Sequence, residues 1–180
     1  MRPAGVVLDD EERLQWDSEP LVKVGPLQFG MSHDEVLAAL GADHATAMLT
    51  GRRACFHLPT SYGQALTTYY RGASGRLSCV AIGALHGPQV ILHGLRLVGE
   101  VPSRLNDRFV DCVRARGLAE HVGCSQYGDL GADEIGLVLR AQRAGDILLS
   151  RPVFVGHEWA DRVCDAWEGS IPEEEWRVYC

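Results

Sequence analysis

Lysine is almost missing from this chain. Of its 17 basic residues only Lys23 is a lysine, and the rest are arginines. That bias reads as the codon preference of a GC-rich genome rather than as chemistry. Basic residues of either kind are outnumbered by 24 acidic ones, leaving a net charge of −7 and a sequence pI near 5.4. Nucleic acid and anionic membranes are therefore not expected as partners, because both need clustered cations to displace counterions. Long apolar runs are missing too. The stretch Val6-Val7-Leu8 is too brief for a secretory core before Asp9-Asp10-Glu11-Glu12 begins, and nothing approaches transmembrane length. No Gly-x-Ser-x-Gly elbow, phosphate-binding glycine loop or dinucleotide fingerprint occurs, so no cofactor is expected. The six cysteines (Cys55, Cys79, Cys112, Cys124, Cys164, Cys180) are scattered, mostly inside apolar stretches. Without a signal segment they read as reduced core residues, and the expected compartment is the cytoplasm.

What is present suits a globular chain: 180 residues, 46% apolar and 23% charged. The clearest organising feature is a faint duplication displaced by about seventy residues. A single domain over 1–180 is expected, made of an acidic leader (1–20), a first repeat (22–85), a second repeat (90–155) and a C-terminal helix with its tail (157–180). Leu14 and Trp16 would anchor the leader. The first repeat has a helix over 32–40 with complete start signals. Ser32 caps it, Glu35 closes a capping box, Met31 and Val36 staple it, and Gly41 takes the left-handed end. The second repeat has a helix over 103–116 with Leu105, Phe109, Cys112 and Val113 on one side. A third helix is predicted over 158–168, burying Ala160, Val163, Cys164 and Trp167.

The strands alternate cleanly. Over 53–58, Ala54, Phe56 and Leu58 fall on one face, with Arg53, Cys55 and His57 on the other. Strands over 66–70 and 77–82 flank a loop at 72–75. If Arg71 faces Arg76, Tyr70 pairs with Leu77 and Tyr69 with Ser78. A second hairpin runs over 135–140 and 147–155, with Pro152 marking an edge or a break. The expected fold is α+β, with two strand–helix–strand repeats sharing a mainly antiparallel sheet and helices packed on one face.

Two candidate chemistries were weighed from single motifs. His157 and Asp161 would sit one turn apart on a helix, but no further ligands converge to make a metal site. His121 and Cys124 have chelating spacing, and a nucleophilic Cys124 would need a base and an electropositive setting. Neither outweighs its structural reading, so no catalytic and no metal residue is assigned.

The phrase Gly25-Pro26-Leu27-Gln28-Phe29-Gly30-Met31-Ser32-His33-Asp34-Glu35-Val36, ending at Leu40-Gly41, resembles the opening of the repeats in outer-membrane-assembly lipoproteins and β-lactamase-inhibitor-protein-like proteins. The second copy departs, with Gly99-Glu100-Val101-Pro102-Ser103 in place of Gly-Met-Ser, and no lipoprotein cysteine stands near the start. The resemblance implies a binding scaffold, similar to small actinobacterial immunity or interaction proteins. The expected function is thus a non-catalytic protein–protein binding module, of the kind that inhibits a basic toxin or enzyme. The alternative is a small enzyme or small-molecule binder using a cleft between the repeats. For the binding module the expected contact residues are His57, Thr67, Tyr69 and Ser78 from the first repeat, with Arg140 and Ser150 from the second.

Overall fold

The computed structural model describes residues 6–42, 47–59, 61, 63–118 and 121–177. It is a mixed α+β protein of two mainly antiparallel sheets and few helices. In the smaller sheet, β1 (Gln15–Glu19) runs parallel to β8 (Gln89–Leu92). The hairpin of β2 (Lys23–Val24) and β3 (Leu27–Gln28) flanks β1 on one side, and β9 (Leu95–Arg96) follows β8 on the other. The acidic leader is thus a central strand. Trp16 is buried as expected, whereas Leu14 is exposed; the second anchor is Arg13, whose guanidinium donates to the carbonyls of Gly87 (2.6 Å) and Ala84 (2.7 Å).

The larger sheet has eight strands. Its first half is β4 (Ala47–Thr50), β5 (Arg53–Phe56), β6 (Leu66–Arg71) and β7 (Arg76–Ile82). Its second half is β10 (Val122–Cys124), β11 (Leu130–Ala132), β12 (Leu137–Ala144) and β13 (Ile147–Val155). The order is β10-β11-β12-β13-β7-β6-β5-β4, so the halves join where β13 pairs antiparallel with β7. That pairing begins at Val153, immediately after Pro152. A proline has no N–H to give a ladder, and here the strand gains its second neighbour only beyond it.

Helix α1 (His33–Leu40) forms where its start signals require. The Ser32 hydroxyl accepts from the Glu35 N–H, Glu35 reaches back to the Ser32 N–H, and Gly41 closes the helix at φ 61°. Helix α2 (Pro102–Arg114) starts on Pro102 and buries Leu105, Phe109 and Val113. These join Val36 and Leu37 of α1 in one apolar cluster with Phe56, Leu66, Tyr70, Leu77, Leu137 and Phe154 from the larger sheet. Trp16, Leu27 and Val90 from the smaller sheet complete it.

One register differs from expectation. Arg71 faces Arg76 and Tyr70 faces Leu77, but a bulge follows and Tyr69 pairs with Cys79. Ser78 is the extra residue; its hydroxyl donates to the Tyr69 carbonyl at 3.1 Å. The bulge keeps Leu77 on the helix side while turning Cys79 to the other face, where the cluster of Tyr69, Cys79, Ala81, Val138, Val153 and Val155 lies.

That other face is not open. Residues 157–177 cross it, contributing Val163, Ile171 and Trp176 to the same cluster. The helix predicted over 158–168 does not form. After a 3-10 turn at His157–Trp159 the chain bends, and Arg162 adopts φ 48°. Carboxylates take the amides that a helix would have used. Asp133 accepts from the N–H groups of Arg162 (3.2 Å) and Val163 (2.8 Å), and Asp165 from those of Trp167 (2.9 Å) and Glu168 (3.0 Å). Trp167, placed by periodicity in a buried stripe, is 77% exposed. The segment ends in the short helix α3 (Glu173–Arg177).

Candidate functional site

Between the crossing C-terminal segment and the far end of the sheet, β5 and β6 leave a groove of about 1030 Å³. Strand alternation sets its floor. Arg53 and Cys55 point away from the helices on β5, and the register places them opposite Tyr69 and Thr67. His57, just past β5, is exposed and lines the groove with Gln64, whose amide donates to the Thr67 hydroxyl at 2.6 Å. Trp159, Pro172, Glu173 and Glu174 from the crossing segment form the wall.

Arginine dominates one part of this lining. Arg52 is exposed at the turn before β5, Arg53 lies with a guanidinium nitrogen 3.5 Å from Cys55 Sγ, and Arg71 ends β6. The Arg71 guanidinium stacks over the Trp159 ring at 5.1 Å. Three other arginines, Arg76, Arg108 and Arg114, pair with Glu35, Glu100 and Asp111. Among the described residues Arg52 and Arg71 form no ion pair. Glu173 on the wall is paired with Arg177.

Beside the groove the same sheet face holds the chain's own C-terminal helix. Glu175 is 1% exposed and lies between Arg151 Nε and the Tyr69 hydroxyl, each donating to it at 2.7 Å. Its backbone carbonyl accepts from Arg140 Nη1 at 2.6 Å. Arg140 also meets Asp129 at 3.3 Å and lies under the Trp176 ring at 4.7 Å. Two buried guanidiniums thus face two buried carboxylates, which is the condition for taking such charges out of water. Burial, then the Glu175 charge, pushes the Tyr69 hydroxyl far above its ordinary range. The Cys79 thiol behind it is raised by the same causes in the same order.

The expected contact residues divide accordingly. His57 and Tyr69 line the groove, and Thr67 is buried behind Gln64. Ser78 is fully buried in the bulge. Arg140 is buried against α3. Ser150 does not share its face: the two-residue turn at Gly145-Asp146 sets Arg140 opposite Arg151 and Ser150 opposite Ala141. The Ser150 hydroxyl instead donates to the Leu97 carbonyl at 2.7 Å and accepts from the Glu100 N–H at 2.9 Å. An exposed face built from all six residues is therefore corrected to a groove that keeps two of them at its surface.

Arg151, Glu175, Trp176, Arg71 and Trp159 were missed. Arg151 could have been found, since it alternates with Val153 and Val155 on β13; the others needed the path of the C-terminal segment. His121 and Cys124 line one shallow hollow with Asp133 and Cys164, whereas His157 and Asp161 share no helix. His157 belongs to a 3-10 turn rather than a helix shared with Asp161, and the His121 imidazole meets Glu134 at 2.8 Å rather than Cys124. Among the described residues no group of three or more His, Cys, Asp or Glu is placed to hold a metal ion. No helix among them is long and apolar enough to cross a membrane.

Comparison with protein-family models, curated proteins and solved structures gave no match.

Proposed function

We propose that this protein is a non-catalytic binding module that captures another protein along the groove over β5 and β6. The observation that carries the reading is the composition of that groove: Tyr69 and Trp159 beside three arginines. Tyr, Trp and Arg are the residue types that dominate binding energy at protein interfaces. The scaffold reading has its own support. The order hairpin, helix, four strands occurs first as β2-β3-α1-β4-β5-β6-β7 and again as β8-β9-α2-β10-β11-β12-β13. The four-stranded halves meet at the pairing of β7 with β13. This supports a duplicated unit over 22–85 and 90–155, as the resemblance implies, with both helices on one side of the shared sheet. In the form that the resemblance suggests, the captured partner is a toxin or enzyme and the module its inhibitor. The five described cysteines are free thiols, which fits a reducing, cytoplasmic setting.

The test is a capture experiment with a groove-filling variant. His57 is exposed, so His57→Trp fills the groove without disturbing the core. A protein retained from the native host by the wild-type chain is expected to be lost by the folded variant. Equal retention by both contradicts the groove as the site. A small molecule displaced by the same substitution, with no protein lost, would favour the small-molecule alternative.

A further inference from the structure

We infer that the groove recognises an acidic segment carrying an aromatic side chain, and that Arg52 and Arg71 read its carboxylates. The inference rests on the binding-module reading above and adds the chemistry of what is bound. Charge complementarity supports it first. Arg52 and Arg71 face the groove and form no ion pair among the described residues, although Glu173 and Glu174 stand on its wall. A guanidinium only donates, and carboxylate oxygens accept from it in pairs, so an acidic ligand is the complement of these two side chains.

The second support is the ligand that the neighbouring part of this sheet face already holds. In Glu175-Trp176 the carboxylate is taken by Arg151 and the Tyr69 hydroxyl, and the indole stacks on Arg140. The face thus uses one arginine for an acid and another for a ring. Beside Tyr69 the groove brings the same residue types together: Arg71 is already stacked on Trp159, and Arg52 stands exposed at the turn before β5. Tyr69 is common to both, its hydroxyl committed to Glu175 and its side chain lining the groove. An aromatic residue of the incoming segment finds the Trp159 ring, and its carboxylates find Arg52 and the donating edge of Arg71. Glu174 on the wall disfavours extending the acidic run toward α3, so the arginine part of the groove sets the direction in which the segment lies.

The probe is the labelled tetrapeptide acetyl-Glu-Glu-Glu-Trp-amide, titrated into the full chain, with acetyl-Lys-Lys-Lys-Trp-amide as its charge-reversed counterpart. The acidic peptide is expected to bind, to weaken as salt rises and to move the indole resonance of Trp159 while leaving that of Trp176 in place. Arg52→Glu with Arg71→Glu is expected to weaken it by about tenfold or more, the loss of two charge-assisted contacts. Arg52→Glu alone, on an exposed side chain, gives a smaller loss in the same direction and guards against misfolding of the double variant. Equal or tighter binding of the lysine peptide overturns the inference, as does an affinity indifferent to both variants. A shift of Trp176 instead of Trp159 also overturns it, since the peptide would then be replacing α3. If the peptide fails but protein capture is still lost in His57→Trp, the ligand chemistry is wrong and the binding-module reading stands. If capture is indifferent to His57→Trp, that reading fails as well.

Discussion

Glu175 is the residue on which the outer face of the sheet turns. Its carboxylate is buried between Arg151 and Tyr69, so truncation removes the charged acceptor to which both donate. Glu175→Ala is expected to cost about 3–5 kcal/mol, read as a fall in the urea midpoint at unchanged slope. A loss under about 1 kcal/mol would mean that the pair is hydrated and the face looser than described. The tyrosines add a pH signature. Burial raises the Tyr70 hydroxyl to about 12 from an ordinary 10, offset in part by the Thr68 hydrogen bond, and raises Tyr69 further. A raised acid binds its proton more tightly in the folded state. The stability it contributes is therefore complete below pH 10 and is lost as pH climbs from 10 through 12. Unfolding curves between pH 9 and 12 should show a progressive fall, with the tyrosinate absorbance of the buried Tyr69 and Tyr70 appearing together with unfolding. Tyrosinate absorbance rising fully by pH 10.5 in folded protein would contradict it. At this scale the sequence was informative where alternation decides direction: Arg53, Cys55 and His57 were placed together from period two alone. It was uninformative about whether Ser150 or Arg151 shares the face of Arg140, because that cross-strand pairing depends on one residue of turn length.

Among the elements, α1 and the failed third helix teach opposite lessons. The α1 boundaries were legible because all its termination chemistry is local: Ser32, Glu35 and Gly41 satisfy its end groups within ten residues of sequence. The stretch 158–168 has an equally good apolar period, yet its amides go to Asp133 and Asp165. Asp133 precedes β12 and is some thirty residues distant, so no local reading could have found it. Asp133→Ala should free the amides of Arg162 and Val163. Their hydrogen exchange is expected to accelerate by about tenfold or more while that of β12 and β13 stays slow. Unchanged protection at Val163 would mean that packing of its side chain, rather than the carboxylate, holds the bend. The same distinction explains the bulge at Ser78. Pairing outward from the tip fixes Tyr70 with Leu77, and only the requirement that Cys79 face the C-terminal segment makes the register slip.

For the whole molecule, the consequence is a sheet with two unlike faces. The helices and the smaller sheet close over one, and residues 157–177 cross the other without covering β5 and β6 completely. The helix caps, the turn glycines and the hairpin tips were visible in the sequence. The groove was not, since its wall is set by the path of the C-terminal segment through Trp159 and Pro172. The central claim, that a partner docks in this groove rather than on the helical side, is tested most directly by placing a photo-crosslinking amino acid at one position at a time. At His57 it lies in the groove; at Asp107 it lies on the exposed side of α2. Irradiation in native-host extract should yield a discrete crosslinked partner from position 57, suppressed by excess unlabelled wild-type chain, and none from position 107. A partner crosslinked from position 107 and not from 57 would contradict the account.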